Sequence, residues 1–278
     1  MKVLIVGASS FIGFHLFQSL KKKYNCIGTY FTNQRSEKLI HLNILSKEEL
    51  NLFFSTHKPD IVIWVAGSKD LKLCEQDEHY AYSINTQPII DYVNIIDKQK
   101  FIFISTNYVF DGVAGNYSEC DQPAPLTIYG KTNYLAEQTL LESTINYNII
   151  RSSAVIGEGS IFYDWLMASL RNNSRISMFD SYITPTPIQL LIDGIDFLIN
   201  KDQYKNIIHI CGELKITRYD FARTIQQLMN NNKTEIIRVK TNNSFTQNDL
   251  SLIQSKLCSS FQTLTSLEYI QRESEFYD

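Results

Sequence analysis

Two hydroxyl-bearing stretches hold the side chains best suited to chemistry. Ser105-Thr106-Asn107-Tyr108 closes the apolar run Phe101-Ile102-Phe103-Ile104, and Tyr129 opens the helix-length segment that follows. A threonine at a strand end and a tyrosine on the next helix can converge on one carbonyl oxygen. A third stretch, Gly7-Ala8-Ser9-Ser10-Phe11-Ile12-Gly13, lies between the buried-type run Val3–Val6 and a helix marked by Ile12, Leu16 and Leu20. Here Gly7 permits a tight turn and Gly13 permits close helix-to-strand packing. The helix start then offers backbone N–H groups and a positive dipole end to a pyrophosphate. Ser10 takes the middle position, where glycine usually lets the backbone approach the phosphates; its small side chain fits there or donates a hydrogen bond. The expected cofactor contacts are Gly7, Ser9, Ser10, Phe11, Ile12, Gly13, Arg35, Asn43, Ala66 and Gly67. The segment Thr29 to Arg35 carries no carboxylate for a ribose 2′-hydroxyl, whereas Arg35 can meet a 2′-phosphate, so NADP(H) is favoured over NAD(H).

The elements around these residues alternate. Strands are expected at Val3–Val6, Cys26–Tyr30, Ile61–Ala66, Phe101–Ser105 and Asn148–Arg151. Helices are expected from the capping-box spacing at Ser46 to about His57, from about Asp77 to Asp97, and from about Ile128 to Glu142. Strands joined by helix-length segments imply parallel pairing and right-handed crossovers. The expected fold is therefore α/β, a doubly wound parallel-sheet Rossmann domain over residues 1–156 with a smaller C-terminal α/β substrate lobe over 157–278, the two interleaved in sequence. In that lobe, helices are read near 162–170, 190–198 and 218–229 (the last capped by Thr217), strands at 175–179 and 207–210, and a turn at Pro185-Thr186-Pro187.

The bulk properties restrict partners. The chain has 278 residues, a net charge of −3 and no basic surplus or polybasic stretch, which argues against nucleic acid and membrane surfaces. No apolar run approaches the ~20 residues of a membrane span. The cysteines Cys26, Cys74, Cys120, Cys211 and Cys258 lie far apart with no zinc-type spacing. Free thiols, no metal and a cytoplasmic location are expected.

Tyr108-Val109-Phe110-Asp111-Gly112 together with Tyr129-Gly130-Lys131-Thr132 resembles the dTDP-4-dehydrorhamnose reductase family, which also contains the regulatory beta subunit of methionine adenosyltransferase. Further matches are Lys58-Pro59-Asp60, Asn85, Arg151-Ser152-Ser153, Pro185-Thr186 and His209-Ile210-Cys211-Gly212. The resemblance implies hydride transfer from NADPH to a 4-keto group on a nucleotide-linked deoxysugar. Tyr129 would donate the proton and Thr106 would hydrogen-bond the same oxygen, while Asn107, Tyr108 and Arg151 would meet the substrate.

The motif also implies a lysine four residues after the tyrosine, lowering its pKa and holding the nicotinamide ribose. Here that position is Asn133. Lys131 does not replace it, because two residues along a helix turn ~200°. Without the cation Tyr129 moves toward the ordinary tyrosine pKa of about 10. Asn133 retains the ability to hydrogen-bond a ribose hydroxyl and is counted with the catalytic positions. Asn107 and Asn43 stand where the family has aspartate, Ala154 where a reductase has tryptophan, and Thr246-Gln247 where Arg-Pro is expected. Two readings follow: a reductase, alone or as a homodimer, or a weak or inactive NADP-binding subunit that regulates a partner enzyme.

Overall fold

The computed structural model describes residues 1–96, 98–201, 206–231, 233–240, 247–255 and 265–275; Asp97, Thr246 and Cys258 lie outside them. The elements run β1 (Lys2–Val6), α1 (Phe11–Leu20), β2 (Asn25–Tyr30), β3 (Ile40–His41), α2 (Lys47–His57), β4 (Ile61–Trp64), α3 (Leu71–Gln76), α4 (Glu78–Asn85), α5 (Gln87–Val93), β5 (Lys100–Thr106), α6 (Ile128–Glu142) and β6 (Asn146–Ser152). They continue β7 (Val155–Ile156), α7 (Ile161–Arg171), β8 (Ile176–Phe179), β9 (Tyr182–Ile183), β10 (Thr186–Pro187), α8 (Ile188–Ile199), β11 (Asn206–His209), β12 (Ile216–Thr217), α9 (Arg218–Leu228), β13 (Ile236–Val239) and α10 (Ser266–Glu275).

Seven strands form one sheet in the order β11-β6-β5-β4-β1-β2-β3. The pairs β1–β2, β1–β4, β4–β5 and β2–β3 are all parallel. Strand order reverses between β1 and β4, which makes their carboxyl ends the switch point where ligands of open α/β sheets bind. Alternate residues of the strands share a face. Leu4, Val6, Val62, Trp64, Phe101, Phe103 and Ile149 are buried in one cluster with Phe53 and Phe54 of α2, Tyr92 of α5, and Ala136 and Leu140 of α6. Tyr92 stacks on Phe101 with ring centroids 4.5 Å apart. Gly28 faces the other way, toward Phe17 of α1, so helices cover both faces.

The chain forms two compact, interleaved units. The first comprises Met1–Val109, Pro123–Arg151 and Ile195–Ile208; the second comprises Phe110–Gln122, Ser152–Gly194 and His209–Asp278. The second carries three two-stranded pairings, β10–β7, β12–β9 and β13–β8.

Local chemistry accounts for most boundaries. The Ser46 hydroxyl accepts the Glu49 N–H at 3.2 Å and starts α2, but Glu49 accepts from the Asn43 N–H instead of closing the capping box. The single helix expected over 77–97 starts where expected but is two helices, α4 and α5, and the short α3 precedes them. Asp70 and Asp77 each cap a new start through the N–H of Leu73 and Tyr80, and Thr86 precedes the Pro88 that cannot continue α4. The strand at 207–210, assigned from sequence to the smaller lobe, is β11 and extends the main sheet beside β6.

Arg151 at the end of β6 is 1% exposed and forms a bidentate pair with Glu137 of α6, with Nη2–Oε2 at 2.6 Å. The Ser105 hydroxyl donates to the same carboxylate at 2.5 Å. Removing one member of a buried pair strands the other charge at a cost of about 3–5 kcal/mol, whereas replacing both with apolar residues is near-neutral. Glu137→Leu is expected to lose about that much in urea denaturation, and Glu137→Leu with Arg151→Met to recover most of it. Equal losses in the single and double variants would show that the pair is not what stabilises this junction.

Candidate active site

The loop after β1 is closed by its own serine. Ser10 caps α1: its hydroxyl accepts the Gly13 N–H at 3.2 Å and donates to the Gly7 carbonyl at 2.8 Å. The Gly7 N–H is held by Thr29 Oγ1 at 3.1 Å. Phe11 and Ile12 occupy the first helical positions, whose N–H groups have no partner within the helix. Gly7 has φ +90°, and a Cβ there would come within 2.8 Å of the Ala66 backbone nitrogen; a Cβ on Gly13 would meet the Gly7 carbonyl oxygen at 2.2 Å. Only glycines allow this close approach of loop, helix and the turn after β4, and the resulting cradle of backbone N–H groups fits a dinucleotide pyrophosphate. The Arg35 guanidinium lies over the Phe14 ring of α1, 5.1 Å from its centroid. Asn43 Oδ1 accepts the Leu45 N–H at 3.0 Å in a local turn.

Ala66-Gly67-Ser68 leads away from β4, and Asn85 ties it down. Asn85 Oδ1 accepts the Ser68 N–H at 2.8 Å, and its amide nitrogen donates to Thr132 Oγ1 at 3.3 Å. The Thr132 hydroxyl in turn reaches the Ile128 and Tyr129 carbonyls. One buried amide thus links the β4 turn to the first turn of α6.

Thr106, the last residue of β5, is buried and lies near enough to the Tyr129 side chain to oppose the rise of its pKa. Its hydroxyl accepts the Tyr108 N–H at 3.2 Å and approaches Asn107 Oδ1 at 3.4 Å. Tyr129 stands in the first turn of α6, where Thr127 caps the helix through the Gly130 N–H. A Cβ on Gly130 would meet the Tyr108 carbonyl oxygen at 2.2 Å, so glycine lets the helix start lie against that segment. Tyr108 packs edge-on to Tyr129 with centroids 5.6 Å apart, and Cys74 and Leu71 of α3 complete the cluster. Burial pushes the Tyr129 phenol up to about 12, against a smaller lowering by the Thr106 hydroxyl. Loss of the motif lysine alone would leave the phenol near the ordinary value of about 10; burial carries it higher.

The structure shows how Asn133 is engaged. Its amide nitrogen donates to the Tyr129 carbonyl four residues back, at 2.8 Å. Arg151, expected at the substrate, is held by Glu137 as described above, and that pairing was missed in the sequence. Its only trace there was a glutamate on the buried side of α6 and an arginine ending an apolar strand. Thr106, Asn107, Tyr108, Tyr129 and Asn133 are brought together at the β5–α6 junction; the Gly7 loop, Ala66 and Gly67 gather at the neighbouring ends of β1 and β4. Among the described residues no group of three or more His, Cys, Asp or Glu could hold a metal ion, Cys26, Cys74, Cys120 and Cys211 form no disulfide, and no helix is long and apolar enough to cross a membrane.

A buried phenol with so high a pKa stays neutral throughout the physiological range. In NMR of protein labelled at the tyrosine Cζ, the Tyr129 resonance, assigned with Tyr129→Phe, is expected to remain un-ionised through pH 10. Asn133→Lys is expected to bring its midpoint down by a unit or more. A Tyr129 midpoint below 10 in the unaltered protein would contradict this electrostatic account.

Comparison with known proteins gives the chain's family and the fold's likeness. The family model described as "RmlD substrate binding domain" matches residues 1–254. The dTDP-4-dehydrorhamnose reductase of Aggregatibacter actinomycetemcomitans is 28% identical over 236 residues, 81% of this chain and 78% of that protein. The methionine adenosyltransferase 2 subunit beta of Rattus norvegicus is 26% identical over 248 residues, 82% of this chain and 72% of that protein. A crystal structure of dTDP-4-dehydrorhamnose reductase from Bacillus anthracis in complex with NADP superposes with a TM-score of 0.84 at 25% identity, covering 98% of this chain and 97% of that one. With the Rossmann-like sheet and the motif residues in place, this chain belongs to the RmlD substrate binding domain family, with dTDP-4-dehydrorhamnose reductases among its relatives.

Proposed function

We propose that this protein is a cytoplasmic NADPH-dependent reductase of a nucleotide-linked 4-keto-deoxysugar. The observation that carries the reading is the buried Thr106 and Tyr129 hydroxyls, neighbours at the β5–α6 junction, beside a glycine-edged N–H cradle at the same edge of a parallel sheet. The reductase relatives support the substrate class, and the NADP-bound relative supports the cofactor. Arg35, held on Phe14 beside the start of α1, is suited to a 2′-phosphate and favours NADP(H) over NAD(H).

The bound cofactor supplies a hydride to the carbonyl carbon. The protein's part is at the oxygen. Thr106 and Tyr129 each donate a hydrogen bond to it, and Tyr129 passes its proton to the alkoxide that develops. An alkoxide is a stronger base than a phenolate, so this transfer runs downhill even from a phenol at about 12. The reverse oxidation needs the phenolate and is suppressed.

A second reading, a weakly active or inactive NADP-binding subunit that regulates a partner enzyme, is favoured by one observation: the Asn133 amide bonds the Tyr129 carbonyl in place of a lysine ammonium. The similarity to a methionine adenosyltransferase subunit is in keeping with it.

NADPH consumption with a panel of nucleotide-linked 4-keto-sugars separates the two. Turnover that falls at least a hundredfold in Tyr129→Phe and rises in Asn133→Lys is the result expected of the reductase. NADPH binding with no turnover on any sugar, rescued by Asn133→Lys, would overturn it in favour of the regulatory subunit.

A further inference from the structure

The strand between the pyrophosphate cradle and the hydroxyl pair is β4, paired in parallel with β1 on one side and β5 on the other. Adjacent strands lie about 4.8 Å apart. A dinucleotide with its pyrophosphate at the end of β1 and its reacting ring at the end of β5 lays the intervening ribose over the end of β4. The residues that leave β4 there are Val65-Ala66-Gly67-Ser68-Lys69-Asp70.

This turn is fixed at several points. The Val65 N–H bonds to the Val6 carbonyl at 3.0 Å, the Ser68 N–H to Asn85 at 2.8 Å, and Asp70 caps α3 through the Leu73 N–H at 2.9 Å. Lys69 stands between the last two. On one side the Asn85–Thr132 link ties its neighbour to the helix that carries Tyr129. On the other begins the helix whose Leu71 and Cys74 cluster with Tyr129. The Lys69 side chain is exposed by surface area, yet desolvation pushes its ammonium pKa down to about 8. The turn thus holds Lys69 at the carboxyl end of β4, between two anchors that both lead to Tyr129.

We propose that Lys69 is this chain's substitute for the absent motif lysine: its Nζ, approaching from the β4 turn instead of from α6, donates hydrogen bonds to the nicotinamide-ribose hydroxyls of the bound dinucleotide. The inference rests on the reading of the site as an NADPH site. An ammonium on a flexible four-carbon stem offers three donors and reaches such a position without the fixed geometry a helix imposes. The adjacent diphosphate provides the negative field that keeps it protonated when the cofactor is in place.

The test compares binding of NADPH with that of adenosine 2′,5′-bisphosphate, which lacks the nicotinamide ribose, by calorimetry on the full chain. Lys69→Met is expected to weaken NADPH about tenfold while leaving the bisphosphate within about twofold. Retained bisphosphate binding shows that the variant folds. Lys69→Arg is expected to keep most of the NADPH affinity, and Asn133→Lys added to Lys69→Met to restore it. Equal weakening of both ligands, or no change in either, would overturn the role of Lys69 and leave the NADPH site standing. If the unaltered protein bound neither ligand, the proposed function would fall, and this inference with it.

Discussion

The shared direction and register of β1, β4 and β5 is the constraint from which the site follows. Val6, Trp64 and Phe103 are level across the three strands, so all three chains leave the sheet at one edge. Each exit delivers a different chemical group: backbone N–H donors after β1, a tethered turn after β4, and a hydroxyl at the end of β5. β5 runs three residues past Phe103 to Thr106, roughly 10 Å at the usual rise per residue. The hydroxyl therefore stands forward of the level at which β1 gives way to the Gly7 loop. Parallel pairing also obliges the chain to return by a helix after each strand. The return after β5 is α6, and its first turn places Tyr129 beside Thr106.

Within that frame, asparagine at position 133 alters more than one charge. A lysine there has to extend away from the helix, whereas the short Asn133 amide folds back onto the Tyr129 carbonyl. The tyrosine loses a neighbouring cation while remaining buried, so desolvation dominates its ionisation and Tyr108 and Cys74 push the same way. The consequence is directional. A neutral phenol serves carbonyl reduction and handicaps alcohol oxidation, and the residue change that looks like damage to a dehydrogenase is a lesser burden for an enzyme used in one direction.

What could be read from the sequence was what is local. α6 spans Ile128–Glu142 as its pattern indicated, because Thr127 supplies a capping oxygen at the right place. α2 begins at Ser46 for the same reason. The helix expected from Asp77 begins there because Asp77 caps it, but it was read as continuous across a break that depends on Thr86 and Pro88. β11 was recognisable as a strand, but nothing in a four-residue apolar run says which sheet it joins. The site divides in the same way. The Gly7 loop and the Tyr129 motif are contiguous and were legible, whereas the setting of Lys69 depends on Asn85 and Thr132, distant in sequence, and was not.

Arg151 shows why a motif residue's role has to be taken from its surroundings. Its guanidinium and the Glu137 carboxylate are buried together, an arrangement whose desolvation cost offsets much of its Coulombic gain. The location gives the pair a use beyond stability. Glu137 also receives the Ser105 hydroxyl, and successive strand residues point to opposite faces. Fixing Ser105 toward α6 therefore fixes the face that Thr106 presents. Glu137 lies on the same helix as Tyr129, so a single carboxylate ties the Thr106 and Tyr129 segments to one rigid element. Two hydroxyls proposed to meet on one oxygen atom tolerate little drift, and a buried, doubly anchored carboxylate limits drift better than an apolar contact that can slide.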